Sequence, residues 1–242
     1  MNRKLYAMHR WLSLVVLLQL LVWSVSGLFF AVMSKESVMG TPVAGAHVRT
    51  LDPTGLLPAS DLAERARAAG AGDSRKIELR GAESAPQAIV TGSEGRVRLD
   101  ARTGAVLPVE RDEAITIARR DQPRSPAVKA ADKVERDPSI EYRDKPLPAW
   151  RVLLDDGRET AVWVDARTGD VTARRNGTWR IYDFLWSLHT MAYRDREDFR
   201  HPLLVAAAAF AVLTAVSGTV LWIVRAARAV RRRRAVSAPP AR

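Results

Sequence analysis

The residues of this chain best suited to chemistry are its four histidines, His9, His47, His189 and His201. An imidazole can move protons near neutral pH or ligate a metal ion. His189 and His201 fall in SLHTMAYRDREDFRHPLLVAAAAF, residues 187–210, just ahead of a long apolar run. They are either ligands of a buried cofactor or amphipathic side chains marking where water meets lipid. His9 precedes a first apolar run, and His47 sits in a linker with no partner pattern. Other groupings offer less. Asp155-Asp156 reads as a turn, Glu197-Asp198 among arginines as a solvated loop, and Ser24, Ser26 and Ser217 as small packing residues. There is no phosphate loop, nucleophile elbow or HExxH pattern, so no catalytic residue and no metal site is assigned. The chain has no cysteine, which excludes disulfides, thiolate metal sites, iron–sulfur clusters and cysteine nucleophiles.

Two apolar runs must position these histidines. WLSLVVLLQLLVWSVSGLFFAVM, residues 11–33, and LLVAAAAFAVLTAVSGTVLWIV, residues 203–224, carry no charge. A transmembrane helix needs about 20 such residues. The first run exceeds the roughly 7–15 residues of a signal-peptide core, so an uncleaved anchor is expected. The net charge of +11 is concentrated at the ends. Residues 1–33 contribute Arg3, Lys4 and Arg10, residues 203–242 contribute seven arginines, and neither end has an acid. Residues 34–202 are nearly neutral, with 28 basic and 27 acidic side chains. Basic residues beside spans mark the cytoplasmic side. Both termini are therefore expected in the cytoplasm, with residues 34–202 in the periplasm of a bacterial inner membrane. The alanine- and arginine-heavy composition points to a bacterial source. The basic tail suits anionic lipids rather than nucleic acid.

The expected order is a cytoplasmic N-terminus (1–10), a first span (11–33), a linker (34–51), a first outer unit (52–110), a second (111–178), an interfacial helix and loop (179–202), a second span (203–224) and a basic tail (225–242). The outer units rest on a recurrence. VRLDARTGAV (97–106) and VWVDARTGDV (162–171) share the pentapeptide DARTG. Asp opens a hairpin turn and Gly takes the left-handed conformation the turn requires. Val97 and Leu99, like Val162 and Val164, are expected to face a core, with Arg98 and Trp163 on the opposite face, where an outward Trp163 is either half-covered or a contact point. In the first unit a helix opens with Ser60 as cap and closes at Gly70, followed by strands at KIELR, QAIVT and RVRLD. In the second, RDEAITIARR is the helix, with strands at SIEYR, AWRVLLDD, TAVWVD and DVTARR, and a turn at Asp156-Gly157. The stretch from Gln122 to Pro138 reads as the least regular part. The fold class is thus α+β: two units, each a helix against an antiparallel sheet, carried on two transmembrane helices.

From Trp179 to Tyr193, apolar or aromatic residues at 181, 184, 185, 188 and 192 form a helical stripe that reads as an interfacial helix. Gln19 places an amide inside hydrocarbon, which is costly without a hydrogen bond. Matching depths on antiparallel spans predicts Ser217 or Thr214 as its partner. The competing partner is Gln19 of a second copy.

The second helix-and-strand set, with Trp150-Arg151-Val152 and then VWVDARTGDV, resembles the PepSY domain. His9-Arg10-Trp11-Leu12-Ser13-Leu14 entering the first span is similar to the PepSY-associated transmembrane family. So is Leu188-His189-Thr190 before a span with Ser217-Gly218 and Leu221-Trp222. The resemblance covers nearly the whole chain. Members include iron-regulated inner-membrane proteins and ferric-siderophore reductases that hold b-type haem between helices, often in four spans, so this chain looks like a minimal version. The resemblance implies His9, His189 and His201 as haem ligands. The expected topology sets His9 about 30 Å from the other two. A haem would then need His189 with His201, or a ligand from a second subunit. Three functional readings follow. The first is an accessory, partner-binding module linked to iron or siderophore uptake. The second is a haem-bearing reductase subunit, working as a dimer, that passes electrons to periplasmic ferric chelates. The third is a peptidase-regulating PepSY module. Whether the chain is an enzyme stays open among them.

Overall fold

The computed structural model describes residues 3–40, 50–82, 85–122, 124–136, 138–193 and 201–236, with side chains omitted for 3–9, 35, 221 and 231–236. His47 and the loop residues 194–200 therefore lie outside the described residues, as does the side chain of His9. The chain forms two compact units. One is Lys35–Arg180; the other joins the residues up to Ser34 with those from Ile181 onward.

In the Lys35–Arg180 unit, helix α3 (Ala59–Ala68) packs on a three-stranded antiparallel sheet of order β1 (Ser74–Arg80), β2 (Gln87–Gly92), β3 (Arg96–Asp100). Leu62 and Ala66 of the helix are buried with Ala88, Val90, Val97 and Leu99 of the sheet. Helix α4 (Arg111–Asp121) packs on a second antiparallel sheet of order β4 (Ala127–Val134), β5 (Ala149–Asp155), β6 (Ala161–Asp165), β7 (Val171–Arg175). Here Ala114 and Ala118 meet Val152, Leu154, Val162 and Val164. The alternation of Val97 and Leu99, and of Val162 and Val164, thus places both pairs in cores. A short helix α2 (Lys35–Met39) completes this unit.

The two DARTG turns share one hydrogen-bond pattern. Gly104 N–H donates to Asp100 O (2.8 Å), and Gly169 N–H to Asp165 O (2.9 Å). Asp100 Oδ1 accepts from the Arg102 and Thr103 amides (2.8 and 2.9 Å), and Asp165 Oδ1 from those of Arg167 and Thr168 (2.8 and 3.3 Å). The glycines have φ of 73° and 79°. A Cβ at Gly169 would meet only ordinary contacts at 3.4 Å, so its cost is conformational. Gly169→Val is expected to lower stability by about 1 kcal/mol or more, read as a shifted thermal melt of the full chain in detergent. Gly104→Val is expected to do the same, because the Arg65 side chain it meets can swing aside. An unchanged melt at both sites would show that neither turn needs the left-handed glycine.

Several expectations are corrected. The first helix starts one residue before Ser60, with Pro58 at its N-cap. Asp61 and Leu62 donate to Pro58 O, and Ser60 Oγ turns to the Asp61 carboxylate instead. The end at Gly70 holds: Gly70 N–H donates to Arg67 O and Ala71 N–H to Ala66 O, a Schellman ending. SIEYR is not a strand. Ile140–Tyr142 is one 3₁₀ turn that swings Tyr142 into the interior. The missing strand is β4, inside the stretch read as irregular. A register shift between Val128 and Ala130 breaks its alternation, and Lys129 and Lys133 suit its edge position.

The face opposite the core is not half-covered either. Trp163 is 1% exposed and stacks on Tyr142 with centroids 4.2 Å apart. Arg98 is 4% exposed; its guanidinium grips Glu113 with two bonds of 2.6 and 2.8 Å and donates to Leu107 O at 2.8 Å. Asp170, which follows the second DARTG turn, accepts from Arg80 (2.6 Å) and Arg96 (2.7 Å) and so ties the two sheets' segments together. Burial alone would raise its carboxyl pKa, but these bonds outweigh burial and hold it below the usual carboxylate range. The link is therefore present above the ordinary carboxylate pKa and is lost as pH falls through the lowered one.

In the other unit, α1 (Arg3–Val32) and α6 (Pro202–Val236) contain the apolar stretches Arg10–Val32 and Pro202–Val230, both long and apolar enough to cross a membrane. Their outward side chains, such as Leu17, Leu21, Leu213 and Trp222, are apolar and exposed, as lipid contact requires. From Ile181 onward, helix α5 (Gly177–Thr190) belongs to this unit too.

Candidate functional site: a histidine set against the first span

The stripe at 181, 184, 185, 188 and 192 is exposed at 181 and 184, as an interfacial helix expects, and buried at 192. Ile181 and Phe184 are exposed, whereas Asp183, Ser187 and Thr190 are buried. An apolar environment favours apolar side chains outside and polar or aromatic ones between helices. The inward face of α5 carries Tyr182, Trp186 and His189. All three rings meet Phe30 of α1, with centroids at 4.7, 5.6 and 5.5 Å.

His189 is fixed at three points. Its Nδ1 lies 2.7 Å from Ser26 Oγ, its carbonyl accepts from Trp23 Nε1 at 2.7 Å, and its ring edge lies about where a Cβ on Gly27 would touch it. The Ser26-Gly27 pair is thus a notch that admits an imidazole. Ser26 lies six residues before Val32, so the ring sits about 9 Å along the helix axis from that end. The sequence left His189 as either a cofactor ligand or a side chain where water meets lipid; the structure sets its ring beside α1.

The notch also selects the tautomer. Ser26 Oγ lies 2.6 Å from Val22 O, an oxygen that can only accept, so the hydroxyl proton points there. Nδ1 must then carry its own proton and donate to Oγ. In the neutral ring this leaves the Nε2 lone pair unprotonated, and no described residue bonds to it. A hydrogen-bonded Nδ1–H with a bare Nε2 is how proteins present an imidazole to a metal centre. Trp23, Ser26, Gly27 and Phe30 escaped the sequence reading as a set. Their i, i+3, i+4, i+7 spacing on one helix face was the available signal.

His201 has a different task. Its Nδ1 accepts from Leu203 N–H (3.3 Å) and its carbonyl from Leu204 N–H (3.0 Å), so it caps α6. Among the described residues, no group of three or more His, Asp or Glu could hold a metal ion.

Gln19 does not bond as expected. Ser217 Oγ donates to Thr214 O (3.0 Å) and Thr214 Oγ1 to Phe210 O (2.9 Å), so each is satisfied within its own helix. Gln19 Nε2 is buried with no hydrogen-bond partner. It lines an apolar groove of about 580 Å³ with Trp23, Met191, Ala207, Phe210 and Ala211. The small residues Ala207 and Ala211 line the groove with α1 residues, and Ser217 and Thr214 do not. Met191, on the groove wall, holds a left-handed backbone with φ of 56°.

No curated protein and no solved structure matches the chain. A family model described as the PepSY-associated TM region matches residues 6–238, from the start of α1 to beyond the end of α6. With two helices fit to span a bilayer around an α+β domain, the chain belongs to the PepSY-associated transmembrane-region family.

Proposed function

We propose that this protein is an accessory inner-membrane module that acts by joining a partner chain within the bilayer, in the service of iron or siderophore uptake. The observation that carries the reading is the orphaned Gln19 amide. A buried donor left unpaired costs about 1–3 kcal/mol, and a carbonyl from a partner helix lying in the adjoining groove would satisfy it. The charge asymmetry supports cytoplasmic termini and a periplasmic 34–202 segment. The matched DARTG turns support reading 52–110 and 111–178 as two PepSY-like units, and the family resemblance supports the link to iron.

A second reading, a haem-bearing reductase dimer, is favoured by the tautomer of His189. Its Nε2 could ligate a haem iron, but the described residues supply no second free imidazole nitrogen. His201 spends Nδ1 on its cap, and no histidine among the described residues lines the groove. A second copy's His189 would have to complete the pair. Haem would supply one-electron chemistry when bound; the chain's own part is to hold Nδ1–H on Ser26.

A photoreactive side chain at position 19 of the full chain, activated in native membranes, separates these readings. The expected result is a discrete adduct with a different membrane protein. An adduct of two copies, with a disulfide dimer from Gln19→Cys in this cysteine-free chain, would favour the second reading. Adducts with lipid alone would contradict both.

A further inference from the structure

The Gln19 amide has two ends to satisfy, and a partner's carbonyl uses one of them. Its Nε2 is buried without a hydrogen-bond partner, and among the described residues none bonds to its Oε1. Gln19 stands two positions from the midpoint of the Arg10–Val32 stretch, about 3 Å along the helix axis. The hydrocarbon is about 30 Å thick, so water and headgroup oxygens are more than about 10 Å away. The missing group must itself reside in the middle of the bilayer. Hydroxyls fit poorly. Ser26, Thr214, Ser217 and Thr219 each donate to a carbonyl three or four residues back in their own helix. A hydroxyl spent in this way can only accept, as can the carbonyl of a regular helix, so neither serves Oε1. Charged side chains are costly at this depth. A primary amide has both a carbonyl and an NH₂, so two amides facing each other exchange two hydrogen bonds.

We propose that the groove beside Gln19 receives an asparagine or glutamine side chain from the middle of another protein's transmembrane helix. The inference rests on the partner-joining function above and names its contact. The groove measures about 580 Å³. A helix 10 Å across fills about 420 Å³ for each turn, so the groove holds little more than one turn, the projecting amide and its flanking side chains. Ala207 and Ala211 line it, and small residues let a second helix come close. The last side-chain torsion of glutamine is broad, so the Gln19 amide can turn to meet the incoming one. A second copy of this chain is a poorer occupant. Its Gln19 is sunk in the same way, and two hollows do not fill each other.

The test places the full chain in phosphatidylcholine vesicles with a synthetic transmembrane helix of leucine and alanine, flanked by lysines and carrying a dansyl group. Three versions have asparagine, serine or leucine at mid-span. Energy transfer from the chain's tryptophans to dansyl reports association. The asparagine helix is expected to bind wild type about tenfold more tightly than the leucine helix. Gln19→Leu is expected to erase that advantage, and Ser217→Ala, whose hydroxyl bonds within its own helix, to leave it unchanged. A leucine helix that binds as tightly as the asparagine helix overturns this proposal and leaves the joining of a partner standing. A serine helix equal to the asparagine helix, or an asparagine advantage that survives in Gln19→Leu, overturns it as well. Self-association of the wild-type chain that Gln19→Leu abolishes would give the groove to a second copy and overturn it. Binding of no helix would leave the groove to lipid chains and count against the joining of a partner too.

Discussion

Trp163→Ala is expected to destabilise the Lys35–Arg180 unit by about 3–5 kcal/mol, the range for emptying a fully buried aromatic site. The ring is 1% exposed, stacked on Tyr142 with 13° between planes, and enclosed by Ala149, Ala161 and Ala173. Those alanines have no side-chain reach with which to refill the space. Tyr142 is itself held by its hydroxyl, which donates to Pro146 O at 2.9 Å and meets Thr172 Oγ1 at 2.8 Å, so it cannot follow the cavity inward. Trp163→Phe is a sharper comparison. Trp163 Nε1 is buried without a hydrogen-bond partner, so phenylalanine removes an unsatisfied donor while keeping most of the stack. It is expected to cost clearly less than alanine. Denaturant melts of the full chain, followed by far-ultraviolet dichroism, give both values. Equal losses for Phe and Ala would show that the stack is not what holds this face.

Glu113→Ala is expected to cost about 3 kcal/mol, because it strands the guanidinium of Arg98 in the interior. Arg98 would keep only its carbonyl partners, Leu107 O at 2.8 Å and Pro108 O at 3.3 Å. The effect belongs at the low end for buried pairs, since the Glu113 side chain is 39% exposed and water can reach its place. Removing the charge along with its partner should recover most of the loss. The double variant Arg98→Met, Glu113→Leu is therefore expected to be more stable than Glu113→Ala alone. A double variant as unstable as the single one would mean that Arg98 acts through its carbonyl bonds rather than its ion pair.

These two residues also show where sequence reasoning stopped. The alternation in VRLD and VWVD correctly sent Val97, Leu99, Val162 and Val164 into cores, because a strand has only two faces. It gave no sign that the other face would also be covered. That depended on Glu113 from α4 and Tyr142 from a 3₁₀ turn, both distant in the chain. The DARTG turns were legible because their geometry is local: aspartate, amides and glycine lie within six residues. Strand β4 was not, because its bulge breaks the period-two signal and its lysines resemble a loop. The spans were evident from length and lack of charge. What lies between them was not. Depth matching named Ser217 and Thr214, but both hydroxyls turn to carbonyls of their own helix. The stripe on α5 was read as the apolar face of an interfacial helix. Ile181 and Phe184 are exposed on that face, but the stripe gave no sign that His189 turns toward Ser26.

The central claim is that this chain completes its chemistry only with a partner, and that His189 alone does not make it a haem protein. The direct measurement is the absorbance spectrum of the full chain, purified in detergent from cells given ample haem. The account predicts no Soret band from the isolated chain. A Soret band at one haem for each one or two chains, abolished by His189→Ala and retained in His47→Ala, would contradict it.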